Sequence, residues 1–176
     1  ARSYWEPGVR HIVAPRGDAP VGQGTYVPHP DGFAYAADLV RGLRSVGDFD
    51  ISVAAYPEVH PEAPNADFDL DNLRAKIDAG ASRAITQFFF DTDAYLRFRD
   101  RCAASGIRAE IVPGILPITR FPQMLRFAKR CGASVPEWLQ HRFDGLDDDA
   151  DTRRMIAASF LVKDLLVDWR RGERYF

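Results

Sequence analysis

An α/β fold with parallel strands is what this chain of 176 residues predicts, and three observations predict it. Short apolar runs alternate four times with segments of helical period, the order of strands joined by right-handed helical crossovers. One run, Ile51-Ser52-Val53-Ala54-Ala55, is small and apolar without alternation, as in a strand buried on both faces. Polar side chains recur just past the ends of the runs: Asp18, then Tyr56 and His60, then Gln87. The carboxyl ends of parallel strands are where such folds build their sites.

Taken in order, Tyr4 and Trp5 before Pro7-Gly8 read as the tail of a helix and its stop. Residues 11–15 form a short strand ending in Arg16-Gly17-Asp18, and residues 19–32, rich in Pro and Gly, form a long irregular connection. A helix follows over about 33–46, with Ala36, Val40 and Leu43 at helical spacing and Gly47 as its stop. The strand at 51–56 must end near Tyr56, because neither Pro57 nor Pro61 can donate to a sheet. Leu70, Leu73 and Ile77 mark a helix over about 67–79, closed by Gly80.

A strand over 83–90 enters the aromatic run Phe88-Phe89-Phe90, which reads as packing rather than a cofactor stack. Asp91 caps a helix with Ala94, Phe98 and Cys102 on one face and Gly106 as its stop. Residues 109–112 are the fourth strand, and Pro113-Gly114 turns out of it. Thr119 caps a helix with Phe121, Leu125 and Ala128 aligned, a short helical piece follows at 136–142, and a long helix spans about 150–169.

Composition narrows the function. Hydrophobic content of 46% and charged content of 27% are those of a globular chain, and a net charge of −2 offers no long-range attraction for nucleic acid or an acidic membrane. No apolar run approaches a membrane span and no leader precedes the first helix, so a cytoplasmic protein is expected. Cys102 and Cys131 lie in helical patterns, which favours free thiols in a reducing compartment. The alternation fits a (β/α) barrel better than a nucleotide-binding doubly wound sheet, because Gly22-Gln23-Gly24 lacks the third glycine and sits in a Pro-rich loop. Four strands are half of an eight-stranded barrel, so 1–176 is expected to be a single partial barrel domain, incomplete at both ends.

Glu58, His60 and Glu62 could ligate a metal, but no His-x₃-His spacing supports them, and hydrogen bonding is the better role for His60. Asp147-Asp148-Asp149-Ala150-Asp151 lacks the glycine and closing Glu of a calcium loop and reads as a helix cap. No metal site is expected. The amide of Gln87 at a strand end needs a partner, either a ligand or a neighbouring chain group, and Asp18 is equally open to a ligand or an internal ion pair.

These stretches together resemble the methylenetetrahydrofolate reductase family. The resemblance is carried by Gly8-Val9-Arg10-His11-Ile12-Val13-Ala14 with Arg16-Gly17-Asp18, by Asp48-Phe49-Asp50 running into 51–63, by residues 78–91, by Pro113-Gly114-Ile115-Leu116-Pro117 and by residues 143–149. It implies a flavin-dependent (β/α)8 TIM-type barrel, of which this chain holds strands 4–7 and their helices. Arg16, Gly17 and Asp18 match the segment that meets FAD, and the Asp18 carboxylate would oppose negative charge on the reduced ring. Tyr35 and Ala36 match a helix start beside the cofactor. Tyr56, His60, Asp69, Asn72 and Lys76 match its ribityl, phosphate and adenosine contacts. Asp18, Gln87, Gln123 and Phe127 match residues that meet the substrates, Asp18 and Gln87 being the catalytic pair.

The activity implied is reduction of 5,10-methylenetetrahydrofolate to 5-methyltetrahydrofolate by NADH or NADPH, with hydride passed in ping-pong order through the flavin. The family's general-acid Glu ends the first strand and its folate-tail Arg follows the last, so neither has a match here. Position 75 is Ala where relatives often carry a basic residue, and the 19–32 connection is long. The isolated chain is therefore expected to be inactive, and the full-length protein to be a homo-oligomer. The alternatives are a degenerate half-barrel kept as an interaction module, and a different barrel enzyme acting on a phosphorylated metabolite.

Overall fold

The computed structural model describes residues 1–17, 26–118 and 120–144. Its elements are α1 (Arg2–Trp5), β1 (His11–Val13), α2 (Ala36–Arg44), β2 (Asp50–Ala55), α3 (Ala66–Asp78), β3 (Arg83–Phe88), α4 (Thr92–Ala104), β4 (Glu110–Gly114), α5 (Phe121–Cys131) and α6 (Glu137–Phe143). The strands form one parallel sheet in the order β1-β2-β3-β4. The α/β class and the parallel sheet are those the alternation predicts. The helix at 150–169, the 147–151 cap and Asp18 lie outside the described residues. The cap expected at Thr119 falls instead at Arg120, whose extended backbone precedes α5 with no side-chain cap hydrogen bond, Pro122 in the first turn setting the start.

Why these segments fold as they do is mostly local. The Asn65 side chain accepts from the Phe68 N–H and starts α3, and Asp91 accepts from the Asp93 N–H and starts α4. Gly80 and Gly106, both at positive φ, follow the ends of those helices. The first helix of the alternation begins later than its pattern suggests, at Ala36 and not Phe33. Phe33 instead lies across Gly42, where a Cβ would collide with its ring, so the residue packs back on the helix it precedes.

The core has two parts. Ile51, Val53, Ala55 and Ala84 on one face of the sheet pack with Val40, Leu43, Leu70, Leu73, Phe98 and Cys102. Phe88 and Phe90 pack with Phe121, Met124, Ala128, Leu139 and Phe143 in the second. The inward stripe of α5 is thus Phe121, Met124 and Ala128, with Leu125 only half-buried. Of the aromatic run, Phe89 stacks on Tyr95 at 5.0 Å and Phe90 is buried, so packing does account for it. The other face of the sheet is less covered among the described residues, with Val13 60% exposed and Ile85 and Val112 half-buried.

The fourth strand runs on through Pro113 and Gly114 instead of turning at them. Among the described residues it has β3 as its one neighbour, and on the side without a partner a residue lacking an N–H is tolerated. Its pairing with β3 is irregular between Ile85 and Phe88, and there the Gly114 N–H donates to Thr86 Oγ1 at 2.9 Å. A Cβ on Gly114 would strike the Thr86 carbonyl oxygen, so the close approach depends on glycine.

Candidate active site

At the carboxyl ends of β1 and β2 a cleft of about 670 Å³ opens between the start of α2 and the inner side of α3. Arg16, Gly17, Tyr35, Ala36, Tyr56, His60, Asp69, Asn72 and Lys76 all line it. They come from four separate stretches, and the topology brings them together because β1 and β2 are adjacent and parallel. Asp18, which follows Gly17 in sequence, lies outside the described residues.

The α3 side supplies a carboxylate, an amide and an amine at Asp69, Asn72 and Lys76, spaced about one helical turn apart. The Lys76 ammonium is part-buried and donates to the Ala54 carbonyl at 2.6 Å. Burial holds its pKa below the ordinary lysine value, against the pull of the nearby Asp69 carboxylate. Asp69 Oδ2 also accepts from the His60 backbone N–H at 3.0 Å, which ties the 57–62 loop to the helix.

His60 is held from both sides. Its ring stands edge-on to Tyr56 with centroids 4.5 Å apart, and its Nδ1 accepts from the Glu62 N–H at 3.0 Å. An Nδ1 that accepts leaves the ring proton on Nε2, so the histidine has a donor to offer a ligand. Arg16 donates to Glu62 Oε2 at 2.6 Å, and that bond holds the Glu62 carboxyl below its ordinary range. Glu58 points elsewhere and bonds to Ser134. Glu58 thus leaves His60 and Glu62, which both line the cleft, and no group of three ligating side chains occurs among the described residues.

Gln87 borders a smaller recess of about 210 Å³ that shares Ala54 and Tyr56 with the main cleft. Its Oε1 accepts from the Phe88 N–H at 3.0 Å, leaving the amide NH₂ as the end that could serve a ligand. Gln123 and Phe127 sit on α5 and line neither space; both are exposed. Phe127 stacks on Phe88 at 5.4 Å, beside Gln87 in the chain. Sequence reasoning missed Asp38 and Phe68 as cleft residues, and weighed Glu62 only as a metal ligand. Phe68 had a signal: a large aromatic in the first turn of α3, off the Leu70/Leu73 stripe and 50% exposed.

Fold and cleft together define a parallel α/β protein with its candidate ligand site at the carboxyl ends of neighbouring strands. The model of the methylenetetrahydrofolate reductase family matches residues 1–172, and the chain belongs to that family. It is 58% identical over its whole length to 5,10-methylenetetrahydrofolate reductase of Pectobacterium carotovorum and 54% identical to that of Escherichia coli. It spans 57% of the length of each. A yeast relative, methylenetetrahydrofolate reductase 2 of Saccharomyces cerevisiae, is 40% identical over 90% of this chain and 27% of its own. A solved structure from Clostridium thermocellum, of a protein described as binding two copies of 5-methyl-5,6,7,8-tetrahydrofolic acid, shares the fold. The TM-score is 0.51 at 19% identity, covering 88% of this chain and 56% of that one.

Among the described residues no helix is long and apolar enough to cross a membrane. Cys102 and Cys131 form no disulfide, and burial pushes the Cys102 thiol up to about 11, so Cys102 is a packing residue and not a nucleophile.

Proposed function

We propose that this chain is the central-to-C-terminal part of a cytoplasmic, homo-oligomeric FAD-dependent methylenetetrahydrofolate reductase. Residues 1–176 would be a single incomplete domain contributing strands 4–7 of a (β/α)8 barrel. The observation that carries the reading is the convergence, on one cleft, of nine residues assigned to the cofactor from family likeness, in a chain of that family.

The donor set fits the cofactor. A part-buried ammonium whose hydrogen-bond partner is a neutral carbonyl carries a desolvation cost that Asp69 offsets in part, and a phosphate oxygen beside Lys76 would relieve the rest. His60 would add a donor to the sugar-phosphate portion, and Asp69 and Asn72 can take hydroxyl or amino hydrogens. The chemistry that bound FAD supplies is hydride relay from NADH or NADPH to methylenetetrahydrofolate. This chain's part is to bind and orient. Arg16 and Gly17 shape the β1 end of the cleft, Gln87 offers its amide in the adjoining recess, and Gln123 and Phe127 extend the substrate side along α5. Asp18 would place a carboxylate against negative charge developing on the reduced ring.

Purified full-length protein should be yellow, release FAD on denaturation, and oxidise NADH or NADPH with a quinone acceptor. A colourless protein that gains no activity with added FAD would overturn the reading. If activity then depended on a metal, a different barrel chemistry would replace it.

A further inference from the structure

Two contacts join the cleft loop to a distant part of the chain. The Ser134 N–H donates to both carboxylate oxygens of Glu58, at 3.1 and 3.0 Å, and the Ser134 hydroxyl donates to Oε1 at 2.8 Å, across 76 residues of sequence. Beside this, Gly132 closes α5 at φ +69 and lies so near the loop that a Cβ there would come within 2.9 Å of Pro61 Cγ. The loop therefore rests on the turn between α5 and α6 at both Glu58 and Pro61.

The alternation within the loop gives this a purpose. Tyr56 and His60 line the cleft, whereas Glu58, between them, leaves it for Ser134. Pro57 is buried and Asp69 holds the His60 N–H from the α3 side, and the charge-assisted tie at Glu58 fixes the loop from the opposite side, so it helps set where Tyr56 and His60 stand. The same turn ends α5, the helix that carries Gln123 and Phe127. We infer that Glu58 is a positioning residue: its carboxylate latches the 56–62 loop to the turn after α5, so that Tyr56 and His60 are held over the cofactor cleft and the cleft is coupled to α5. The latch is a geometric claim about this chain, and its effect on the cofactor rests on the FAD reading above.

The test uses full-length protein with Glu58→Ala, Glu58→Gln and Ser134→Ala, read in two ways. Hydrogen exchange of the 56–63 amides reports the latch without any cofactor, and the rate of FAD release on dilution reports its consequence. Glu58→Ala should remove protection from the His60 amide and speed FAD release about tenfold, the effect of losing a set of hydrogen bonds to a charged group. Glu58→Gln keeps an acceptor and should fall between, and Ser134→Ala should cost less because its N–H remains. Combining Glu58→Ala with Ser134→Ala should add little to Glu58→Ala alone. Unchanged exchange in Glu58→Ala would overturn the latch, and so would a global loss of protection shared with the core strands, the mark of a merely structural residue. Lost local protection with unchanged FAD release would overturn the coupling. A wild-type protein that binds no FAD would sink the cofactor reading while leaving the exchange result to decide the latch.

Discussion

Lys76 concentrates the electrostatics of the cleft in one side chain. Its ammonium is part-buried against the Ala54 carbonyl, and desolvation lowers its pKa while Asp69 pulls the other way. The folded state thus holds this proton less tightly than the unfolded chain does. Between the lowered folded value and the ordinary 10.5, the unfolded state binds more protons, so this group's contribution to stability rises with pH. Replacing Lys76 with Met removes that burial cost together with a hydrogen bond, and the two should offset to within ~1 kcal/mol at neutral pH. FAD affinity should nevertheless fall about tenfold or more, because a methyl group cannot pair with an anion. Urea unfolding of apo-protein at several pH values checks the first expectation, since the difference from wild type should shift in favour of wild type as pH rises through the alkaline range. Fluorescence titration with FAD checks the second. An affinity unchanged by Lys76→Met would remove this residue from the cofactor site.

At the scale of the element, what the sequence makes legible is periodicity. The stripes Leu70/Leu73 and Ala94/Phe98/Cys102, and the caps Asp91 and Gly80, are local patterns and reappear in α3 and α4. The extent of the fourth strand was not legible, because it depends on a partner. Gly114 belongs to β4 only because β3 is irregular after Ile85 and lets Thr86 meet it. The polar ladder across the amino ends of the strands is equally non-local: His11 and Arg83 both reach Asp50, and Arg83 reaches Glu110. Gly114→Ala tests the close approach. The new Cβ would meet backbone, which cannot yield cheaply, so about 3 kcal/mol of stability should be lost as the β3–β4 contact opens. Gly106→Ala is the control, since it has open space but positive φ and should cost only about 1 kcal/mol. Equal losses in the two variants, measured by urea denaturation, would mean that β3 and β4 yield to the new Cβ at little cost and that the close approach at Gly114 does not require glycine.

For the whole molecule, the site was legible as a place before it was legible as a cleft. Tyr56, His60 and Gln87 follow from where strands end, but the Arg16–Glu62 pair and the Glu58–Ser134 tie depend on how distant segments dock. The same limit applies to the sheet as a whole. Parallel sheets are nearly always covered on both faces, and exposed strand edges invite association. Here one face packs on helices, while Val13 on the other is 60% exposed. β1 and β4 each have one neighbour among the described residues. If the remaining strands of a barrel cover that face in the full-length protein, residues 1–176 alone should self-associate on size-exclusion chromatography and enhance the fluorescence of a hydrophobic dye, and the full-length protein should do neither as strongly. Val13→Lys separates the two contexts by sign. In the isolated chain the charge meets water and should reduce association. In a closed barrel it would be buried without a partner and should cost about 2 kcal/mol or more of stability. A Val13→Lys full-length protein as stable as wild type would mean that this face stays open to solvent, and the barrel would have to be abandoned.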